Sequence, residues 1–245
     1  MSDAKFDSIE DAVTAIKNGE MIVVVDDDDR ENEGDLIMAA SKATPDAVAF
    51  MIRHTSGILC APLFEEHAAR LHLDPMVARN DAPMSTAFTV SIDYKHGLTT
   101  GISAEERAAT VQALTNSNVS AEDFVRPGHI FPLVARQGGV LMRSGHTEAG
   151  VDLSVLSGLP PVSLLAELVN DDGTVQRLPQ LLEFAAAHNL KIITIADLIA
   201  YRQTREKLVE RTNEFDVKSR IGNARGVSYR TKFEDAEHLA PVSYT

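Results

Sequence analysis

Apolar and polar residues follow one another along the chain in blocks that predict interleaved helices and strands. Ile9, Val13 and Ile16 share one face of a helix over 8–18, and Gly19 stands where that helix should end. Further helices are predicted from Thr44 to about Gly57 and at 64–71, 103–115, 147–156, 179–188 and 196–210. Strands are predicted at 21–25, from Leu36, and at 58–63, 88–93 and 191–195, with hairpins over 130–142 and 162–178.

Hairpins and helical crossovers both occur in this pattern, and no internal repeat interrupts it. Hairpins join antiparallel strands, whereas helical crossovers join parallel ones. We therefore expect an α/β fold, a single domain with a mixed β-sheet flanked by helices.

The sharpest break in the pattern is an acidic segment between two apolar runs. The run at 21–25 stops at four aspartates, the second run begins at Leu36, and seven of the ten residues at 26–35 are acidic. Carboxylates packed this densely repel one another unless cations offset the charge. Composition alone favours a solvated acidic loop. The alternative is a divalent-cation site, because hard cations prefer oxygen ligands.

Composition narrows the class of protein. The chain has 245 residues, 44% hydrophobic and 24% charged, with a formal net charge of −13 and no tryptophan. These values are typical of a globular protein and disfavour a nucleic-acid partner. The polar N-terminus and the absence of a long apolar run predict no leader, no membrane and a cytoplasmic location. Cys60 is the only cysteine, so no intrachain disulfide is expected.

The charge balance changes sign near residue 201. Residues 1–200 hold 14 basic and 29 acidic side chains (net −15), whereas residues 201–245 hold 9 and 7 (net +2). This shift predicts a main domain over 1–200 and a different segment over 201–245.

Two further clusters could carry chemistry at strand ends. His129 follows an Arg-Pro-Gly turn at the expected mouth of a strand, where an imidazole can act as acid or base. The segment 143–148 contains Arg143, Gly145 and His146, which together suit an anion and a metal at a helix N-terminus. The simpler alternatives are an exposed turn histidine and a polar capping loop.

Glu167 interrupts the apolar strand at 164–169. Alternation places it on the same face as Leu165 and Val169, where a charge is costly unless it is used or paired. The alternative is a face that points to solvent. Combined with the other clusters, Glu167 completes a set that fits metal-assisted proton abstraction on a small phosphorylated carbonyl compound.

Five segments resemble the motif set of the 3,4-dihydroxy-2-butanone-4-phosphate synthase family, in the same order, over residues 5 to about 200. The segments are 26–35, 53–57, 99–103, 127–133 and 143–147. The resemblance implies that family's fold, a homodimer, Mg²⁺ or Mn²⁺ as cofactor, and a place in riboflavin biosynthesis. It also implies conversion of D-ribulose 5-phosphate to 3,4-dihydroxy-2-butanone 4-phosphate plus formate, by metal-assisted enolisation, dehydration and skeletal rearrangement.

The same resemblance implies roles for individual residues. Glu31 and His146 match metal ligands, and His129 and Glu167 match residues essential for activity. We assign the proton transfers to Asp35, His129 and Glu167 without fixing which residue performs each. The expected substrate-binding positions are Arg30, Glu31, Asp35, Arg143, Ser144, Gly145, His146, Thr147 and Glu167. Cys60 and Thr100 are expected to line the pocket.

The segment at 201–245, above all 220–230, resembles the first strands of GTP cyclohydrolase II, which in many bacteria is fused behind this synthase. The three-cysteine zinc site of that enzyme has no counterpart after Cys60, so we expect no cyclohydrolase activity. Part of a fusion protein and a degenerate natural form both fit this pattern. For the main domain, the alternatives are a metal-binding or regulatory module without turnover and a nucleotide-binding relative of similar fold.

Overall fold

The computed structural model describes residues 6–219, 222–233 and 236–242. The chain packs as two compact units, Met1–Ile199 and Ala200–Thr245. Within the described residues, the first unit contains a seven-stranded sheet and the second a three-stranded sheet. The strands of the first sheet are β1 (Ile22–Val25), β2 (Gly34–Ala39), β3 (Cys60–Leu63), β4 (Ile92–Tyr94), β5 (Phe124–Val134), β6 (Ser163–Glu167) and β7 (Lys191–Thr194).

Two of the helices show the caps that the sequence predicts for them. Ser8 Oγ accepts the Asp11 amide at 3.1 Å at the start of the first helix, and Gly19 closes it with φ 89°. Ser103 and Glu106 form the predicted capping box. The helices are α1 (Ile9–Asn18), α2 (Pro45–His54), α3 (Glu65–Arg70), α4 (Ala104–Leu114), α5 (His146–Leu156), α6 (Leu178–His188) and α7 (Ile195–Arg205).

The seven-stranded sheet is mixed and has the order β4-β5-β3-β6-β2-β1-β7. β2 pairs antiparallel with β1 and β6, whereas β1–β7 and β3–β5 are parallel. This arrangement confirms the predicted fold class. The register places Asp35 opposite both Val24 and Glu167. The end of β1, the start of β2 and the end of β6 therefore meet at one edge of the sheet.

Both faces of the central strands are covered by helices. All six residues of β2 are buried. Leu36 and Met38 belong to the hydrophobic cluster that includes Leu181 of α6, whereas Ile37 lies beneath Gly150 of α5. Strands packed on both faces resist displacement, so the loops at their ends project from a fixed support.

The predicted hairpin over 130–142 is wrong. β5 begins at Phe124, and Gly139–Leu141 is a 3₁₀ turn. Gly138 and Gly139 have φ of 91° and 64°, and the Val140 amide donates to Asp152 Oδ2 of α5 at 2.8 Å. Because a helix carboxylate takes this amide, the chain after β5 turns towards α5 instead of returning along the sheet.

Three other boundaries differ from the predictions. Only Ile92–Tyr94 forms β4, while Phe88 and Thr89 make single bridges to Leu133 and Pro75. The turn after β6 closes with one bridge, Val169 to Val175, before α6 begins at Leu178. The last helix stops at Arg205 and a strand starts at Val209. In each case a tertiary contact or the next element overrides the local pattern.

The second unit contains an antiparallel sheet of the order β10-β9-β8. Its strands are β8 (Val209–Ser219), β9 (Gly222–Thr231) and β10 (Glu237–Val242). Arg220 and Ile221, which belong to the segment resembling GTP cyclohydrolase II, lie outside the described residues. In the part of the chain that the structure describes, none of the helices has the length and apolar character needed to cross a membrane.

Candidate active site

The acidic loop between β1 and β2 is organised around the carboxylate of Asp26. Asp26 is buried and accepts hydrogen bonds from Arg30 Nη1 at 2.9 Å, the Glu31 amide at 3.0 Å and the Glu33 amide at 2.8 Å. The three donors hold the loop in a fixed turn, which brings the Glu31 side chain next to Arg30. Asp26 therefore sets the loop conformation, whereas residues 27–29 are exposed.

A second anchor comes from the opposite side of the loop. Arg177, which precedes α6, donates from Nη1 to the carbonyl oxygens of Glu31 (2.8 Å) and Asn32. These bonds leave the Glu31 side chain free to face inward. Nothing in the sequence around Arg177 marks it as a partner of a loop almost 150 residues away.

His146 begins α5 and lies buried against the acidic loop. Its Nε2 is 3.1 Å from the carbonyl oxygen of Val24. Because a carbonyl only accepts, Nε2 carries the proton, and Nδ1 is the nitrogen that faces the acids. Nδ1 lies 3.7 Å from Glu31 Oε2 and 3.8 Å from Asp35 Oδ1. Asp26, Glu31 and His146 each offer a ligand atom, and these atoms lie within 4.8 Å of one another.

The environment of this cluster shifts the pKa values of Glu31 and Asp35 in opposite directions. The nearby His146 imidazole lowers the pKa of Glu31 to about 2 with help from Arg30, although burial opposes the shift. Burial raises the pKa of Asp35 to about 7, with further increases from Glu167, Glu31 and Glu33. Two neighbouring carboxyls thus favour different protonation states near neutral pH, a pattern typical of acid–base sites.

His146 carries the balancing charge. Burial alone would lower the pKa of its imidazole, but the charges of Asp35, Glu31 and Asp26 raise it to about 9. Asp35 Oδ1 is buried and has no hydrogen-bond partner among the described residues. The cluster therefore contains more negative charge and acceptor capacity than its own donors satisfy.

An anion-binding corner adjoins this cluster at the N-terminus of α5. Gly145 is the N-cap residue and provides no side-chain cap. A Cβ at Gly145 would lie 2.3 Å from Arg143 Nη1 and 3.0 Å from Arg30 Nη2. Two guanidinium groups therefore converge on a helix N-terminus, an arrangement that suits a phosphate.

Arg143 is held in place by three contacts. Its Nη1 donates to the buried Glu148 Oε2 at 2.6 Å, and its Nη2 donates to the Met84 carbonyl at 3.1 Å and to Thr86 Oγ1 at 3.2 Å. Glu148 also accepts the Arg136 amide at 2.9 Å. The sequence showed Arg143 but not the loop at 84–86 that supports it.

Glu167 faces the same cleft from the end of β6. Ser56 Oγ donates to Glu167 Oε2 at 2.7 Å, and the Ser56 amide donates to the Glu167 carbonyl at 2.8 Å. Glu167 and Leu165 both line the cleft, as the predicted alternation requires. The residues lining it are Arg30, Glu31, Glu33, Asp35, Cys60, Thr86, Phe88, Leu133, Arg143, His146, Thr147, Leu165 and Glu167.

Four predicted site residues do not line the cleft. His129 is one of them. It also does not follow a turn at a strand mouth, because 126–129 form a bulge within β5. Thr100 is exposed and, like Ser144 and Gly145, is not among the lining residues. Ser144 and Gly145 lie between two lining residues in the chain, Arg143 and His146.

The profile of the 3,4-dihydroxy-2-butanone 4-phosphate synthase family matches residues 10–201, which include every residue lining the cleft. The chain belongs to this family. A chloroplast protein of Arabidopsis thaliana, named bifunctional riboflavin biosynthesis protein RIBA 1, is 54% identical over 239 residues, which are 97% of this chain and 44% of that protein. The chain spans about half the length of the curated relatives it matches.

Solved structures agree with the synthase family assignment. RibBX from A. baumannii, described as a two-domain 3,4-dihydroxy-2-butanone 4-phosphate synthase, is 44% identical with a TM-score of 0.91, covering 97% of this chain and 70% of that one. A second structure, described as the synthase in complex with two magnesium ions, is 44% identical with a TM-score of 0.79, covering 82% of this chain and 98% of that one. The curated relatives are named as riboflavin biosynthesis proteins.

Proposed function

We propose that the protein converts D-ribulose 5-phosphate to 3,4-dihydroxy-2-butanone 4-phosphate and formate. The observation that carries the proposal is one cleft that combines a carboxylate–imidazole cluster with two arginines at a helix N-terminus. The cluster suits the polar sugar end of the substrate, and the arginine corner suits its phosphate. Membership of the synthase family supports the same reaction.

A divalent cation fits the cluster. The donors are carboxylate oxygens and one imidazole nitrogen, and the buried Asp35 Oδ1 lacks a partner within the described part of the chain. Glu31 and His146 would hold the cation, while Asp26 is already engaged by three donors of its own loop. When bound, the cation would stabilise negative charge that develops on the substrate oxygens. We propose Mg²⁺, which a structural relative contains, with Mn²⁺ as the alternative.

The chain's own residues supply binding and proton transfer. Arg143, Arg30, the backbone at Ser144 and Gly145 and the first turn of α5 with Thr147 would hold the phosphate as a remote anchor. Asp35 lies between the cluster and Glu167. The carboxyls of Asp35 and Glu167 would therefore exchange protons with the carbon and hydroxyl groups of a substrate bound in the cleft. The dehydration step also needs an acid that protonates the hydroxyl group leaving from C1 of the substrate, a role that suits a histidine.

The first test is turnover. Incubation with ribulose 5-phosphate and Mg²⁺ should release formate, and a chelator should stop the release until excess Mg²⁺ is restored. A module that binds metal without turnover would bind Mg²⁺ but release no formate. A nucleotide-binding relative would show neither metal-dependent formate nor substrate binding. Either result would contradict the proposed reaction.

We propose that the protein acts as a homodimer and that His129 serves the cleft of its partner. The reason is that His129 and the cleft occupy separate places in one chain. In a symmetric dimer, the surface around His129 of each subunit can pack against the cleft of the other, so the same contact occurs twice. The functional unit would then contain two equal sites.

Mixing two inactive variants tests this arrangement. Glu31→Ala and His129→Ala should each be inactive, and their mixture after subunit exchange should recover about a quarter of the wild-type rate, because half of the dimers carry one intact site. The readout is formate release against mixing ratio. Absence of recovery, in a mixture shown to contain the heterodimer, would mean that both residues act within one chain.

We propose that residues 201–245 begin a second region, since matches to longer proteins continue through this segment. The Arabidopsis relative is named as chloroplastic. A cytoplasmic location remains a prediction for this chain.

A further inference from the structure

His129 has a carboxylate partner that neither the reaction nor the motif set singles out. Asp93, on β4, accepts the His129 backbone amide on Oδ1 at 2.9 Å and faces the ring Nδ1 with Oδ2 at 2.8 Å. Both oxygens of one carboxylate therefore point at one histidine. The Asp93 side chain is 4% exposed, whereas the His129 ring is 39% exposed.

The local backbone is shaped around this contact. β4 and β5 pair Ile92 with Ile130 and Asp93 with Val125, so residues 126–129 bulge out between two neighbouring pairs. The Gly128 amide donates to Ser91 Oγ at 3.1 Å, and a Cβ at Gly128 would lie 2.0 Å from the Ile92 carbonyl carbon. Only glycine allows this close approach, which turns the His129 ring back over Asp93.

The Thr99–Ser103 segment closes the other side of the pair. A Cβ at Gly101 would lie 2.0 Å from Asp93 Oδ2 and 2.8 Å from His129 Nδ1. Gly101 has φ 82°, so glycine satisfies both the backbone and the space. Arg107, buried nearby, has a pKa that burial lowers and that the charge of Asp93 raises. The carboxylate is thus enclosed on one side and open to the histidine on the other.

An ionised carboxylate only accepts hydrogen bonds, so the ring nitrogen that faces Asp93 must carry the proton. That nitrogen is Nδ1, which leaves Nε2 without a proton in the neutral ring and directed away from Asp93. A buried carboxylate that fixes one tautomer in this way is the arrangement by which enzymes orient a general base.

We propose that Asp93 is a positioning residue, which holds His129 in the Nδ1–H tautomer and presents Nε2 for proton transfer in the synthase reaction. The proposal rests on the proposed function, because it needs His129 to transfer a proton. Asp93 does not touch the substrate in this account and acts through the histidine ring.

The chain offers a matched control pair. His96 Nε2 lies 2.7 Å from Asp123 Oδ1, but here the His96 ring is 61% exposed and the Asp123 side chain 28% exposed. The same two residue types at a similar distance therefore occur nearer the surface, and the contact uses Nε2 of the histidine instead of Nδ1. Exposed pairs of this kind contribute little.

The experiment replaces Asp93 by Asn, which keeps the shape but puts an N–H donor against Nδ1. We expect kcat for formate release to fall at least about 10²-fold with KM within about threefold, because an amide favours the wrong tautomer. Asp123→Asn should leave both constants unchanged. In the wild-type protein, the ¹⁵N shifts of the His129 ring should report a protonated Nδ1.

Several outcomes overturn the proposal. A wild-type His129 protonated on Nε2 would contradict it even if Asp93→Asn fails to fold. A folded Asp93→Asn protein with wild-type kcat would contradict it while leaving the proposed reaction intact, provided that His129→Gln is inactive. If His129→Gln itself turns over normally, the role of His129 in the proposed function fails together with that of Asp93.

Discussion

Glu31→Gln or His146→Ala should reduce formate release by at least about 10³-fold at saturating Mg²⁺, a loss of about 4 kcal/mol of transition-state stabilisation. Glu31 and His146 are the two cluster residues whose ligand atoms are not already committed to the loop backbone. Glutamine keeps the size of Glu31 but removes the charge that a divalent cation requires. Removal of His146 also takes away the imidazole whose positive charge balances Asp35 and, together with Arg30, Glu31.

The matched control for this loss is Asp28→Asn. Asp28 belongs to the same loop and carries the same charge, but it is exposed and outside the cluster. Its rate of formate release and its affinity for Mg²⁺, measured by calorimetry, should stay within about twofold of wild type because an exposed charge is screened. Normal turnover in either Glu31→Gln or His146→Ala would contradict the metal assignment.

Gly145→Ala should lower kcat/KM about 10²-fold, since a displacement of about 1 Å in a positioning group can have that effect. Gly145 has φ −115°, so alanine fits the backbone there. The new Cβ would instead lie 2.3 Å from Arg143 Nη1 and 2.9 Å from Glu148 Oε2. Arg143 would have to leave the position in which we propose that it binds the substrate phosphate. Inhibition by inorganic phosphate should weaken in parallel.

Gly158→Ala separates this steric effect from a general loss of stability. Gly158 follows the other end of α5 with φ 72°, and a Cβ there would meet no atom of the described residues within 4 Å. We expect about 1 kcal/mol of destabilisation, seen as a lower Tm, with kcat/KM unchanged. If folded Gly145→Ala protein kept wild-type kcat/KM and phosphate inhibition, the phosphate corner would be misplaced.

Much of the fold could be read from local signals. Ser8, Thr44 and Ser103 each begin a helix, as predicted, because a side-chain oxygen that caps free amides acts over three residues. The reading of Gly138 and Gly139 as a hairpin turn failed for a different reason. The Val140 amide, which decides the path of the chain there, bonds to Asp152 of α5, and the residues around the turn do not predict this contact.

In the candidate site too, the sequence predicts which residues take part but not the tertiary contacts between them. The motifs named Glu31, Asp35, Arg143, His146 and Glu167, and the structure brings these five side chains to one cleft. Their protonation could not be read from the sequence, because the pKa of Asp35 depends on burial and on charges from other strands. Arg177 was missed because its contact with the acidic loop is purely tertiary.

The buried carboxyl of Asp35 lowers the stability of the fold. A buried carboxyl without a hydrogen-bond partner destabilises the fold, and the described residues offer none for its Oδ1. Replacing it by a neutral residue would ease repulsion with Glu31 and Glu167. We infer that the chain keeps this unfavourable group for its chemistry, a trade between stability and activity seen at many active sites.

The most direct test of the account follows a single carbon. We propose that the skeletal rearrangement releases C4 of ribulose 5-phosphate as formate. Substrate labelled with ¹³C at C4 should therefore give labelled formate when protein and Mg²⁺ are present, and the label should stay in the sugar phosphate when a chelator is added. Carbon NMR of the reaction mixture follows both species. Unlabelled formate, or no formate from folded protein saturated with Mg²⁺, would contradict the proposed reaction.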